Sequence, residues 1–261
     1  MPPLLMVLAA VMAIGPIFLP DAPVEAVVAI SGLYMADYFS AIYGDLPVLL
    51  HTWSLSVEEH FYMIWPVAVL GLVSLPPMTR VKAIALAFAV ATLWRLGNAY
   101  YFPAFSMTAF RFDTRLSGLL LGALVAISAP VVSTRAADLL GWIAVASLAV
   151  LSSVANREAV PMAYMQPFID IAAAALIVSL IAPGTSVGRV FSWRPVAYIG
   201  LISYSIYLWH YPIALAVKTC TGDWRIILAV TLALSVALAA ASYAFVEKPL
   251  QAWRHRRFAI A

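Results

Sequence analysis

Three short runs hold most of the polar chemistry in this chain. The first is His51-Thr52-Trp53-Ser54-Leu55-Ser56-Val57-Glu58-Glu59-His60-Phe61-Tyr62, where two adjacent carboxylates open an apolar stretch. Carboxylates beside an imidazole can orient a substrate or move a proton. The same letters also spell a helix start, because Ser56 and Glu59 fit the S-x-x-E capping box and acids favour a helix N-terminus. Trp53, Tyr62 and Trp65 then read as aromatics at a membrane–water boundary. A cap needs one carboxylate only, however, and a second facing protein at a membrane helix is costly without a task. His51 is near enough in sequence to fold back onto Glu58 and Glu59.

The second run is Phe110-Arg111-Phe112-Asp113-Thr114-Arg115-Leu116-Ser117-Gly118. Arg111 and Asp113 can simply pair at the interface. Alternatively Arg111, Arg115 or both take an anionic group, such as a phosphate or pyrophosphate, through forked hydrogen bonds. Gly118 and Gly122 have the small-xxx-small spacing of closely packed membrane helices. In the third run, Ser203 to Pro212, helical spacing puts Ser203, Tyr207 and His210 on one face. That face could line a polar cavity, or His210 could be a hydrogen-bonded structural residue. Pro212 cannot donate to Leu208 and predicts a kink there. Glu247-Lys248-Pro249-Leu250 reads as a helix stop with an interfacial ion pair, and Asp170 is an isolated acid without a named partner.

The elements that position these groups must be membrane helices. Of the 261 residues, 64% are hydrophobic and 10% charged, which is too little charge to coat a water-soluble globule. Mean hydropathy is +0.97. Apolar runs near 3–19, 57–74, 81–97, 115–128, 139–154, 167–182, 197–217 and 226–246 have the length a helix needs to cross the hydrocarbon. They are continuous rather than alternating, so helices are expected and strands are not. The segment 24–42 carries Glu25 and Asp37 and reads as an interfacial or re-entrant helix, with a ninth span as the alternative. The expected fold class is an all-α polytopic bundle of eight or nine spans.

Nine of the fifteen basic residues fall on one side of eight spans: Arg80, Lys82, Arg135, Arg189, Arg194, Lys248, Arg254, Arg256 and Arg257. That side is read as cytoplasmic, with both termini on it. Arg95, Arg111, Arg115, Arg157, Lys218 and Arg225 fall on the other. Residues 4–19 have the apolarity of a signal peptide but no preceding basic residue and no A-x-A site, so they are read as retained. Cys220 has no intramolecular partner, which excludes a disulfide scaffold. A net charge of +3 gives no argument for nucleic acid, and four scattered histidines with one cysteine do not make a metal site. Walker, G-x-G-x-x-G, H-E-x-x-H and G-x-S-x-G motifs are missing from the sequence.

Together the runs resemble the acyltransferase 3 family of membrane O-acyltransferases. Trp53-Ser54-Leu55-Ser56-Val57-Glu58-Glu59-His60-Phe61-Tyr62 is similar to that family's W-S-L-x-V-E-E-x-F-Y signature. Arg111-Phe112-Asp113 with Leu120-Leu121-Gly122-Ala123 resembles its R-x-D/E…L-L-G-A segment. Ser203 to Pro212 resembles S-Y-S-x-Y-L-W-H-x-P, and Glu247 to Leu250 the closing E-x-P-L. The motifs stand in the family's order over residues 51–250. The resemblance implies a membrane domain over 1–250, with 251–261 as a basic cytoplasmic tail.

It further implies transfer of an acyl group, commonly acetyl, from acyl-CoA as co-substrate to a hydroxyl of a carbohydrate or glycolipid acceptor. No bound cofactor, metal or nucleic acid is implied, and the location implied is the bacterial inner membrane. Glu58 and Glu59 would shape a polar entrance and His210 would serve in proton transfer. His51, Trp53, Ser54, Arg111, Asp113, Ser203 and Tyr207 would contact substrate. The family places its catalytic base on a His of a first helix that has no counterpart here, and residues 1–19 resemble the family's third helix. The expectation is therefore a member lacking two helices and with them that base, through a misplaced start, a truncation or helices supplied by another chain; His210 or His51 as substitute base is the lesser alternative. An inactive member, or a transporter or flippase of a lipid-linked glycan, would carry the same polar residues.

Overall fold

A computed structural model describes residues 2–18, 20–44, 46–102, 104–128, 130–155 and 162–258. Arg157, counted above among the basic residues, and the last three residues of the tail lie outside the described residues. All regular elements among the described residues are helical. They are α1 (Pro2–Phe18), α2 (Val24–Gly32), α3 (Ala36–Tyr43), a 3-10 turn (Leu50–Thr52), α4 (Trp53–Val73), α5 (Pro77–Tyr101) and α6 (Phe105–Ala109). There follow α7 (Phe112–Ser128), α8 (Thr134–Ala155), α9 (Met162–Ile181), α10 (Ser186–Phe191), α11 (Arg194–Leu201) and α12 (Ser203–Cys220). The chain closes with α13 (Trp224–Ser242), a π-turn (Tyr243–Glu247) and α14 (Lys248–Phe258).

Among the described residues, four helical stretches are long and apolar enough to cross a bilayer: Pro77–Tyr101, Thr134–Val154, Tyr164–Ile181 and Trp224–Arg254. Pro2–Phe18 is apolar but shorter. Large apolar side chains such as Leu70, Leu86, Leu93 and Phe245 are exposed along the helices, as lipid-facing positions must be.

The chain divides into two compact units. The first contains residues 1–36, 45–52 and 197–261. In it α12 packs along α13, and α1 packs on α2 and α12. Gly15 permits the α1–α2 approach, since a Cβ there would sit 3.3 Å from both Val24 methyls. The second unit contains residues 37–44 and 53–196, with α5 against α7, α8 against α9, and α7 bridging to α4 and α9.

Several expectations change at this level. The segment 24–42 forms two short helices, α2 and α3, joined at Tyr34, whose φ of 56° is left-handed. The run 197–217 breaks at Ile202 into α11 and α12. Glu247 does not stop the last helix: a π-turn absorbs it and α14 continues through Pro249, because proline is tolerated in a helix's first turn. Helix α4 begins at Trp53, which leaves Ser56 inside the helix, so Ser56 and Glu59 do not form its capping box. Arg95 and Arg115 lie within α5 and α7, so neither belongs to a loop in the charge count.

Candidate functional site

Each unit holds a cluster of polar side chains named by the sequence. In the first unit the centre is α12. Pro212 has no N–H, which leaves the Leu208 carbonyl without its helical donor. The ring of His51, on the 3-10 turn, packs against Tyr207, His210 and Tyr211 at centroid distances of 5.2, 5.5 and 5.1 Å. The Leu208 carbonyl lies close enough to favour a protonated His51 without completing a hydrogen bond to either ring nitrogen. Tyr207 donates its hydroxyl hydrogen to the His51 carbonyl, which ties α12 to the 3-10 turn. Thr52 strengthens that turn by donating to the Leu49 carbonyl at 2.7 Å.

His210 Nδ1 lies 2.6 Å from the Tyr207 carbonyl oxygen. A carbonyl oxygen can only accept, so Nδ1 carries the hydrogen and, in the neutral ring, Nε2 holds the lone pair. Ser203 is exposed one turn before Tyr207 and takes no part in this ring cluster. Ser205 is engaged elsewhere: it donates to Glu247 at 2.6 Å, as Ser242 does at 3.3 Å. Glu247 is thus held by serines of α12 and α13, which replaces the interfacial ion pair with Lys248 expected for it.

His51 is 7% exposed, and burial together with nearby His210 holds its imidazole far below its ordinary range, at about 3. Between pH 6.5 and that value the unfolded chain binds a proton at His51 that the folded chain refuses. Its neutral form therefore supports the fold fully above pH 6.5, and that support is lost as pH falls. The slope approaches ~1.4 kcal/mol per pH unit for one such group. Thermal unfolding from pH 7.5 to 4.5 checks this: His51→Asn should flatten the acid loss of stability relative to the parent chain. Parallel slopes in the two proteins would sink the assignment.

In the second unit the cluster spans α5, α7 and α9. Arg111 forks onto Asp113 at 3.0 and 2.5 Å and donates to Asn98 at 3.2 Å. Trp94 Nε1 and Tyr38 also donate to Asp113, at 2.8 and 3.4 Å. Asp170 accepts from Ser117 at 2.8 Å and Gln166 at 2.9 Å, and lies 3.5 Å from Arg95. Arg115 donates to the Ala109 carbonyl and to Gln166, each at 2.6 Å, with its guanidinium 4.8 Å above the Trp53 ring. Glu58 is exposed on α4, while Ser54 and Glu59 are half-buried. Asp37, fully buried, faces His60 Nδ1 at 3.2 Å.

Sequence reasoning named Arg111, Asp113 and Trp53 here, and the structure brings them into one cluster. It missed Arg95, His60 and Gln166. For Arg95 a signal existed, because an arginine inside an apolar span marks a polar partner within the bundle; that partner is Asp170. Of the two glycines, only Gly118 is required for close approach: its Cβ would lie 2.9 Å from Asp170 Oδ1, whereas a Cβ on Gly122 would meet nothing within 4 Å. Gly118→Ala should therefore displace the carboxylate and cost about 1–3 kcal/mol, and Gly122→Ala should not. Thermal midpoints of the two variants in detergent compare them directly.

The model of the acyltransferase 3 family, described as an acyltransferase domain, matches residues 1–246. The Bacillus subtilis protein YrhL, whose name assigns it provisionally to peptidoglycan O-acetylation, is 31% identical over 246 residues, covering 85% of this chain and 37% of its own. The peptidoglycan O-acetyltransferase OatA of Listeria monocytogenes is 29% identical over 82% of this chain and 37% of its own. The O-acetyltransferase OatA of Staphylococcus aureus is 28% identical over 85% and 39%. The chain thus spans little more than a third of the length of these relatives. No solved structure matches it.

Proposed function

The chain belongs to the acyltransferase 3 family, and from that premise we propose that it O-acetylates cell-wall carbohydrate, with peptidoglycan as the acceptor and acetyl-CoA as the donor. The observation that carries this reading is the shared likeness, over more than four fifths of the chain, to relatives named for O-acetylation, two of them for peptidoglycan specifically. The proposed location is the bacterial inner membrane, with the basic C-terminal residues on the cytoplasmic side.

The chemistry is attack of a glycan hydroxyl on a thioester carbonyl. A base must take the hydroxyl proton as the C–O bond forms, and the departing thiolate must receive a proton as the C–S bond breaks. His210 suits both steps, because its Nδ1–H is engaged with the Tyr207 carbonyl and its Nε2 holds the lone pair. His51 suits them poorly. An imidazole whose proton is lost near pH 3 is too weak a base at neutral pH, so its role is to support the α12 surface. Tyr207 is a positioning residue, with its hydroxyl committed to the His51 carbonyl.

The test is a proteoliposome assay with acetyl-labelled acetyl-CoA and soluble peptidoglycan fragments. The expected product is glycan-bound acetate that mild alkali releases as free acetate, the behaviour of an ester. Full turnover of donor without labelled glycan would refute the acceptor, and labelled glycan from another acyl donor only would refute the donor.

A further inference from the structure

The second unit holds three guanidinium groups around one cluster, Arg95, Arg111 and Arg115, against the carboxylates of Asp113 and Asp170. Arginine stays charged in any protein environment. Asp113 is spent on Arg111 through a forked pair. Asp170 therefore remains for Arg95 and Arg115 together, and it is already shared with Ser117 and Gln166. The other buried acid among the described residues of this unit, Asp37, faces His60 Nδ1 at 3.2 Å. Asp138 is taken up by the Ser186 hydroxyl and by the backbone N–H groups of Ser186 and Val187. Glu58 and Glu59 lie on α4, exposed and half-buried.

Arg95 is the telling residue. It is 1% exposed, and neither terminal nitrogen has a hydrogen-bond partner. Asp170 stands 3.5 Å away, beyond a charge-assisted hydrogen bond. A purely structural buried ion pair repays its desolvation only with close geometry and satisfied donors. This one has neither, and three guanidinium groups stand against the two carboxylates of Asp113 and Asp170. Such a charge within a membrane bundle marks a functional site.

We infer that Arg95 and Arg115, with Arg111 at the rim, form a binding site for an oxyanion, a phosphate or carboxylate carried by a substrate. Arg111 and Arg115 are half-buried and more open than Arg95, which is 1% exposed. Arg95 lies behind them, on the α5 turn that carries Asn98, the acceptor of an Arg111 hydrogen bond. Planar guanidinium forks match such groups with two parallel hydrogen bonds. Gly118 keeps Asp170 close to the cluster, so the carboxylate partly offsets the charge while the site is empty of anion. The inference stands on charge and hydrogen bonding within one unit and does not depend on which group is transferred.

The experiment measures thermal unfolding of the purified full chain in detergent micelles, in millimolar sodium pyrophosphate or in sodium chloride of equal ionic strength. Pyrophosphate should raise the midpoint beyond chloride. Arg115→Gln should weaken the apparent affinity roughly tenfold, the value of one good charged contact, and Arg95→Gln should weaken it further, with Arg95→Lys recovering part. No shift of the parent protein beyond chloride overturns the site, whether or not the Arg95 variants fold. An undiminished shift in Arg115→Gln overturns it as well. The source of the anion follows from two further arms, coenzyme A and muramyl dipeptide: stabilisation by the first assigns the site to the donor, and by the second to the acceptor. Because binding is read without transfer, failure of the acetylation assay leaves this result intact.

Discussion

Asp170→Leu should cost the protein about 3–5 kcal/mol, the largest stability loss expected of a single substitution here. The carboxylate is buried on α9 against α7, and its removal strips Arg95 of the counter-charge it has among the described residues, Ser117 of an acceptor and Gln166 of another. An uncompensated buried charge is more damaging than a missing pair, so the double substitution Arg95→Met with Asp170→Leu should recover most of the loss. Asp170→Asn should fall between, because an amide oxygen still accepts from Ser117 while the charge is gone. The measurement is the unfolding midpoint and the monodisperse yield of the four proteins. If Asp170→Leu unfolds within about 0.5 kcal/mol of its parent, the range of ordinary surface substitutions, the carboxylate is not holding this core together.

That same carboxylate shows where sequence reasoning stopped. Its isolation in an apolar run was legible, but Arg95 lies 75 residues away on another helix and no local pattern links them. Helix content was legible because continuous apolarity leaves no other way to satisfy a backbone in lipid. Boundaries were less so. Ser56 and Glu59 satisfy a capping rule, yet α4 starts three residues earlier at Trp53, since the 3-10 turn of Leu50–Thr52 supplies the helix entrance. Likewise Glu247 and Pro249 look like a stop, but the Ser205 and Ser242 hydroxyls that anchor Glu247 come from distant positions and let the π-turn carry the helix onward.

The chemical runs fared differently for the same reason. The His210 and Tyr207 spacing could be read because both sit on α12, where helical geometry alone brings them together. The long-range partner of Tyr207, the His51 carbonyl, depends on packing between segments 156 residues apart. Motifs of one helix were therefore visible as faces, and their meaning as pairs came only from the fold.

His210→Gln should lower acyl transfer by roughly 10²–10⁴-fold, the usual contribution of a positioned general base. Glutamine keeps the size and one donor, so it can still reach the Tyr207 carbonyl, but it has no basic nitrogen to replace Nε2. The loss should appear in kcat with little change in KM, because the proton moves only as the C–O bond forms. His51→Asn is the matched control. It removes the neighbouring imidazole but no base in use, so any loss of rate should follow loss of folded protein. Tyr207→Phe tests positioning separately: it frees the His51 carbonyl while leaving both imidazoles, and should reduce kcat far less than His210→Gln. Full activity in His210→Gln would place the base on another residue. A shared collapse of His210→Gln and His51→Asn in proportion to unfolding would make the cluster a structural joint. Only a large kcat loss in well-folded His210→Gln assigns the lone pair on Nε2 its chemical task.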